Sequence, residues 1–513
     1  MKLVNTISEM FPTLGRWINK FVINMLVNKS RHRPHPWSTV HDYVSWTSLT
    51  DKNWSARHLP AKTLNPPKQD DAIIDLFKRA DGPQLCDKST CLFPAFAQYL
   101  TDGFIRTRMP NKSLGEKDDP VRKQNTSNHD IDLSPLYGRT GAQTDALRLN
   151  SETKGERGRL KSQIVGGTEE YAPYLFENGK IKQEFEILDT PLMLDKFAEY
   201  PDILSKIFAF GGDRANASPQ VSMMNTLFLR EHNRLAKEIE QLHPNWDDTR
   251  VFETARNTNI VLFIKIVIEE YINNISSGFK FRTDPSVAWN APWNKPNWIT
   301  SEFSLLYRWH PLIPDSMKWG GVDYPTQATI MNNNLLISGG LKQSFIDMST
   351  QSAGKIGPFN TSDALIRFEK MAIDQGRLVQ LASYGDYREY VNLSRPTKFS
   401  DISKNPKVVS ILERAYDKVD DVEFYVGMFS EDSIPNSPLP ELIGIMVAVD
   451  AFSQALTNPL LSEHVWKQET FSSVGWDAIN TTKNLESIVN RNVAGGVSTD
   501  DFIGITRKGW KSV

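Results

Sequence analysis

The chain has very little cysteine: Cys86 and Cys91 are the two thiols in 513 residues. Two thiols cannot build a disulfide framework, and no Cys-x-x-Cys pair is present to hold zinc. An excess of one charge is missing too. Lysine plus arginine number 59 against 61 aspartates and glutamates, a net charge of −2. That balance argues against nucleic acid as the main partner, because phosphate binding needs a basic excess on some face. No run approaches the roughly 20 apolar residues that span a bilayer, and the most continuous one, 260–268, is broken by Lys265. Internal repeats, low-complexity tracts and clear linkers are absent, and strand-like alternation is confined to short pieces such as 180–187. With 40% hydrophobic and 23% charged residues, the chain is neither disordered nor fibrous.

What is present is helical patterning. Leu3, Ile7, Met10, Leu14, Trp17, Phe21 and Met25 recur at steps of three and four, which makes one apolar stripe on a helix over residues 1–29. Pro12 kinks or restarts that helix, and Lys2, Arg16, Lys20 and Lys29 lie away from the stripe. The pattern suits a helix in a membrane interface and, equally, one docked on the body of the protein. Asn5, Glu9 and Pro12 interrupt any signal-peptide core. The expected location is therefore cytoplasmic, with peripheral membrane contact as the option the stripe offers. The sequons at Asn125, Asn216, Asn360, Asn392 and Asn480 are expected to carry no glycans. Residues 31–68, with HRPHPW and LNPPKQ, read as an extended wrap. Helices are expected over 71–79, 94–106, 219–242, 246–275, 361–382, 407–417 and 438–456, the second half of 246–275 being apolar enough for a central core. The fold class is mainly α: one large helical domain over 30–513 with very little β, preceded by the amphipathic helix.

Nine histidines leave few candidates for chemistry. His310 is followed by Pro311, which ends a helix there, and Tyr307 lies three residues earlier on what would be the same face. A neutral imidazole is a common ligand for iron, including haem iron. A tyrosine beside an oxidising metal centre can give up an electron and a proton. Taken alone the pair is a weak signal, and a satisfied core histidine explains it better. His232 sits in a row of Arg230, Glu231, Asn233 and Arg234, which reads as a buried ion-pair network. Asn128, Asp130, Asp132 and Ser134 place oxygen at every second residue, as calcium loops do. They lack the glycine and the distal glutamate of an EF-hand, so a polar turn is the plainer reading.

Taken together, several segments resemble one family. They are LFPAFAQYLTDGFIRT, GGDRANAS, the long stretch SMMNTLFLREHNRLAKEIEQLHPNWDDTRVFETARNTNIVLFIKIVIEEYI, EFSLLYRWHPLIPD, IDQGR and DDVEFYVGMF. In this order and spacing they are similar to the animal haem peroxidase superfamily, and within it to the cyclooxygenase and fatty-acid dioxygenase branch. The resemblance runs from about residue 90 to 490. No cysteine-rich growth-factor-like module precedes it, so a compact, bacterial-type member is expected.

The resemblance implies that His310 is the proximal ligand of haem iron and that Tyr307 takes the position of the tyrosyl radical. Gln98 matches the distal-helix glutamine. Arg214, sixteen residues before Arg230, stands at the spacing of the distal arginine of mammalian peroxidases. Gln375 matches the group that hydrogen-bonds the proximal histidine. Ala217 and Ser218 occupy the places where those peroxidases link haem through a carboxylate and a methionine, so a non-covalent haem b is expected. Asp102 departs from the pattern, because the family has its acid–base histidine there. A free aspartate has a pKa of about 3.9 against about 6.5 for histidine, so Asp102 is expected to be ionised and a poor base unless burial raises its pKa. Alternatively, Asp102 has slid toward a calcium site formed with Asn128, Asp130, Asp132 and Ser134, since Gly103 follows where the family often has a calcium-binding aspartate. Calcium stays open on these residues.

The activity the resemblance implies is a haem-dependent dioxygenase that turns an unsaturated fatty acid into a hydroperoxide. A trace of peroxide would activate the haem, Tyr307 would become a phenoxyl radical and take a hydrogen atom from the lipid, and dioxygen would add. Phe303, Leu306, Trp309 and the stretch 471–488 are candidate channel walls. A haem peroxidase oxidising small donors with hydrogen peroxide is the alternative, as is a haem-binding pseudoenzyme.

Overall fold

Two helices open the chain, α1 (Lys2–Met10) and α2 (Pro12–Val27), parted at Phe11 because Pro12 can begin a helix but not continue one. The computed structural model describes residues 2–28, 39–40, 51–108 and 119–511; the HRPHPW stretch and Lys29 lie outside them. α2 buries Gly15, Asn19, Ile23 and Val27 against the body. Asn19 Nδ2 donates to the Arg282 carbonyl at 3.1 Å, and Trp293 Nε1 donates to Asn24 Oδ1 at 2.8 Å. From Met10 onward the apolar stripe faces the other way, with Met10 68% and Trp17 65% exposed, beside Phe11, Leu14, Phe21 and Met25; the side chains of Leu3 and Ile7 lie outside those described. Docking and an exposed apolar face thus occur on opposite sides of one helix. Among the described residues, no helix is long and apolar enough to cross a membrane.

The core is a helical stack. α3 (Leu92–Phe104) packs on α4 (Pro219–Leu242), and α4 packs on α5 (Asp248–Ile266). Pro219 starts α4, where its missing N–H costs nothing. The Asp247 carboxylate accepts from Arg250 N at 2.8 Å and caps α5. The apolar end of α5 is buried on every side, as its composition predicts: Val261, Leu262, Ile264 and Ile266 have no exposure. The helix expected over 246–275 is not continuous. A turn of π-helix, Val267–Tyr271, follows α5 and leads to a last short turn, Ile272–Ile275. Such wide turns often occur at functional sites, because the inserted residue re-aims a side chain.

Further along the chain come α6 (Ser301–Leu306), α7 (Ile366–Leu378), α8 (Glu441–Leu456) and α9 (Gln468–Thr481). α6 packs against both α7 and α8, while α9 lies on α5. β-Structure among the described residues amounts to four two-stranded antiparallel sheets. The alternation over 180–187 yields only a two-residue strand, Lys180–Ile181, followed by a 3₁₀ turn. One sheet matters for the site. Leu85–Thr90 pairs with Ser352–Gly354, and a Cβ on Gly354 would run into the Pro311 carbonyl oxygen. The strand therefore needs glycine there to seat the turn that begins at His310.

The charged row on α4 is structural. Burial would push the Glu231 carboxyl up, but Arg234 and Arg491, at 2.8 and 2.7 Å, hold it down at about 2. Removing one partner of such a buried pair costs about 3–5 kcal/mol. Burial pushes the His232 imidazole down to about 3, so it is neutral. It bonds the Gly158 carbonyl at 2.8 Å through Nε2 and the Tyr137 hydroxyl at 2.9 Å through Nδ1.

Candidate active site

Tyr307 and His310 reach the site by way of a helix end. Thr300 caps α6 by accepting from Phe303 N at 3.1 Å, and the helix stops at Leu306. His310 then opens a 3₁₀ turn with Pro311 and Leu312. The common helical face suggested by their spacing is absent, because the residue before a proline does not continue an α-helix and here the chain unwinds three residues earlier. Both side chains nevertheless line one cavity of about 300 Å³, together with Gln98 and Asp102 from α3, Arg214, Ser304, Arg308 and Trp309.

The Tyr307 hydroxyl is buried without a well-formed hydrogen bond. Its ring packs on Phe303 at 4.6 Å and on Trp309 at 4.7 Å, and Trp309 continues to Phe93 at 5.4 Å. Burial pushes the Tyr307 phenol well above its ordinary value; the nearby Tyr271 hydroxyl, at the end of the π turn, opposes this and Asp450 adds to it. Phenolate is therefore out of reach, and oxidation of this side chain must remove a proton together with the electron.

On the His310 side, Nδ1 lies 3.1 Å from Glu369 Oε1, in a geometry too bent for a good hydrogen bond. Glu369, on α7, has no solvent exposure. It accepts from Thr361 Oγ1 at 2.7 Å and from the Tyr425 hydroxyl. A carboxylate beside Nδ1 favours the tautomer with its proton there and leaves the Nε2 lone pair for a metal. Gln375 does not do this work: its Nε2 donates to the Arg122 carbonyl at 2.8 Å. The expectation for Gln375 is corrected in favour of Glu369, nearly two turns earlier on the same helix.

On the α3 side, Asp102 is 8% exposed, and its Oδ2 has no hydrogen-bond partner. Burial pushes its carboxyl up to about 7, against the opposing pull of Arg214 and of Arg139 and Arg308. The exception named for a buried carboxyl applies: burial moves Asp102 from the free-aspartate range toward neutrality. Arg214 Nη1 donates to the Ile105 carbonyl at 3.2 Å.

Asp102 lines the cavity with Gln98 and does not join the 128–134 loop. That loop is closed by its own bonds. Asn128 Nδ2 donates to Asp132 Oδ2 at 2.6 Å, Asp132 Oδ1 accepts from Ser134 N, and Ser134 Oγ donates to the Gly103 carbonyl. Asp130 Oδ1 accepts from Asn297 Nδ2 at 2.9 Å. Among the described residues, no group of three or more His, Cys, Asp or Glu side chains is placed to hold a metal ion.

The cavity's donor set fits an iron porphyrin. One imidazole faces in with a carboxylate behind it, aromatic rings form a wall, and two buried polar atoms of its lining residues lack partners, Asp102 Oδ2 and Trp309 Nε1, while the Tyr307 hydroxyl has the Tyr271 hydroxyl beside it. Buried polar atoms are nearly always bonded, so two orphans at one cavity point to a ligand. Of the expected channel walls Trp309 lines this cavity; Phe303 packs on Tyr307 without lining it, and none of Leu306, Phe471 and Ile488 lines it, Phe471 packing instead on Trp466 and Trp476. Sequence reasoning missed Glu369, Tyr271 and Arg308. A carboxylate set among apolar residues on the inner face of α7 was the one available signal.

The family model for animal haem peroxidases matches residues 22–501. The chain belongs to that family. Prostaglandin G/H synthase 2 of Equus caballus is 31% identical over 522 residues, covering 96% of this chain and 79% of that protein. Prostaglandin G/H synthase 1 of Rattus norvegicus is 29% identical over 512 residues, covering 93% and 79%. Among solved structures, peroxidase A from Dictyostelium discoideum superposes with a TM-score of 0.67 at 19% identity, over 92% of this chain and 95% of that one. Fatty acid alpha-dioxygenase of Oryza sativa gives 0.66 at 15% identity, over 96% and 93%. The fold is that of the haem peroxidases, the members of this family bind haem, and the chain is an oxidoreductase.

Proposed function

We propose that this haem peroxidase is a dioxygenase that converts an unsaturated fatty acid into a hydroperoxide through a radical on Tyr307. The observation that carries the reading is that the Tyr307 phenol and the His310 imidazole open into the same cavity as Gln98, Asp102 and Arg214. His310 would hold the iron of a haem b, with Glu369 orienting the ring. Neither Ala217 nor Ser218 offers a carboxylate or thioether, so the haem is held without covalent links. When bound, the haem supplies the one-electron oxidant after reacting with hydroperoxide. Asp102, in its ionised form, takes the hydroperoxide proton, and Gln98 and Arg214 orient the oxygens. Tyr307 loses an electron and a proton. The resulting phenoxyl takes a hydrogen atom from an activated methylene of the lipid, dioxygen adds to that carbon, and the peroxyl product takes the hydrogen back. Phe303 and Trp309 hold the phenol and keep water from it. Calcium has no part in this reading, because the donors of the 128–134 loop bond to one another and to their neighbours.

Oxygen uptake with linoleate tests the reading. Wild type consumes oxygen and Tyr307→Phe does not, while both show the same haem absorption; equal rates in the two proteins would refute the radical on Tyr307. A peroxidase acting on small donors is the second reading, and the near-neutral Asp102 favours it. Donor oxidation by hydrogen peroxide survives Tyr307→Phe, so the one variant separates the two activities.

The exposed face of α1 and α2 is proposed to rest on a lipid surface, the source of an apolar substrate. Trp17 and Phe21 stack at 5.9 Å on that face, as suits an interfacial helix. Sedimentation with phospholipid vesicles should be lost in a Trp17→Ser, Phe21→Ser double variant; retention would remove this assignment.

A further inference from the structure

The exposed stripe on α2 has two unlike shoulders. Gly15, Asn19, Ile23 and Val27 are buried at every fourth residue, and Trp17 and Phe21 project from the far side of the helix. Successive residues turn by about 100°, so Arg16 and Lys20, each one place before an exposed ring, share one shoulder of the stripe. Both are exposed. The other shoulder carries Ile18 and Val22, which are half-buried and apolar. The segment 280–295 runs beside the basic shoulder: Lys20 Nζ donates to the Ser286 carbonyl at 3.3 Å, and Trp293 Nε1 donates to Asn24 Oδ1 at 2.8 Å. That segment adds exposed Lys280, Arg282 and Lys295.

Acidic groups are few here. Glu9 lies 3.7 Å from Lys280, and Asp284 accepts from Ser286 Oγ at 2.6 Å. Among the described residues, no carboxylate stands within ion-pair distance of Arg16, Lys20, Arg282 or Lys295. The chain as a whole is slightly acidic, with a net charge of −2, so this edge runs against the average. A helix lying flat in a membrane interface puts its apolar face among the acyl chains and its flanks at head-group depth. Cations at that depth are drawn to negative head groups and gain little from zwitterionic ones. We propose that this basic edge makes the α1–α2 surface select anionic phospholipid.

The inference rests on the lipid-surface reading of the stripe and adds to it the class of head group. The apolar rings give attachment, and the cations decide to which surface. A second copy of the chain is the competing occupant. It fits poorly, because in a symmetric pair the same face meets itself and offers the cations no anionic partner in return.

Co-sedimentation with vesicles tests it, using phosphatidylcholine alone or phosphatidylcholine with about one-third phosphatidylserine. At low salt wild type should bind the anionic vesicles about a hundredfold more tightly, since each exposed cation near such a surface is worth about fivefold. Arg282→Gln combined with Lys295→Gln should lose about twentyfold on the anionic vesicles and nothing on phosphatidylcholine. Added salt should erode the preference, because the attraction fades beyond a Debye length. Equal binding to both vesicles, or a preference that the double variant keeps in full, would overturn the inference while leaving the lipid-surface reading in place. If wild type binds neither vesicle, or forms a dimer that Trp17→Ser with Phe21→Ser dissolves, both fall. The wild-type comparison and its salt dependence need no variant and no turnover, so a poorly folded variant leaves the test intact.

Discussion

On the His310 side of the cavity, a hydrogen-bonded carboxylate stands beside the ring. The imidazole faces Glu369, and Glu369 is held by Thr361 and Tyr425. On the α3 side, Asp102 Oδ2 has no partner, and Arg214 reaches its carboxylate neighbour only at 4.0 Å. The first arrangement fixes a carboxylate: Thr361 and Tyr425 hold Glu369 in place, 3.1 Å from the imidazole Nδ1. The second leaves a protonation state undecided, since burial lifts the Asp102 carboxyl to about 7. A group that must hold a metal needs the former. A group that must give and take a proton needs the latter, because a general base works best with its pKa near the working pH.

Asp102→Asn is the sharpest way to break the contrast. Reaction of the haem protein with hydroperoxide should slow by about a hundredfold, with haem affinity unchanged, as stopped-flow absorption would show. In wild type this rate should climb as pH rises through about 7, where the carboxylate form appears. The asparagine variant should give a flat profile. A variant with wild-type rate and profile would mean that Asp102 takes no part.

Glu369→Gln acts on the other side and should weaken haem retention by about tenfold, read as faster transfer of haem to an apo-globin acceptor. The pH rise in the peroxide step should remain. If the two variants changed the same observable, the two sides would not be separate devices.

A further effect is on stability. The folded pKa of Asp102 lies above its unfolded value of about 3.9, so the folded chain binds that proton more tightly. The resulting stabilisation is full below about pH 4 and is lost as pH rises through about 7. Thermal melts of Asp102→Asn should lack this part of the decline, and the gap in melting temperature from wild type should favour the variant more at pH 8 than at pH 4.

Much of this was legible beforehand. α4 begins at Pro219 and ends at Leu242 as its pattern predicts, because a proline start and a long amphipathic period are local facts. The crowding of 260–266 into a core followed from composition alone. The helix of 246–275, however, gives way to a π turn, and 361–382 contracts to Ile366–Leu378. Helix continuity depends on what packs outside it, which periodicity does not record. Glu369 escaped notice because its value lies in meeting a ring from a distant segment.

By itself the sequence decided the helical class, the buried and exposed faces of the main helices, and the presence of a phenol and an imidazole three residues apart. Each of these depends on residue identity and short-range spacing. Only tertiary structure decided that Glu369 rather than Gln375 stands behind His310, that burial lifts the Asp102 carboxyl toward neutrality, and that Arg214 and Arg308 face the cavity that Asp102 lines. Those outcomes depend on distance and on the exclusion of water, and the chain acquires both only when segments far apart in the sequence are packed together.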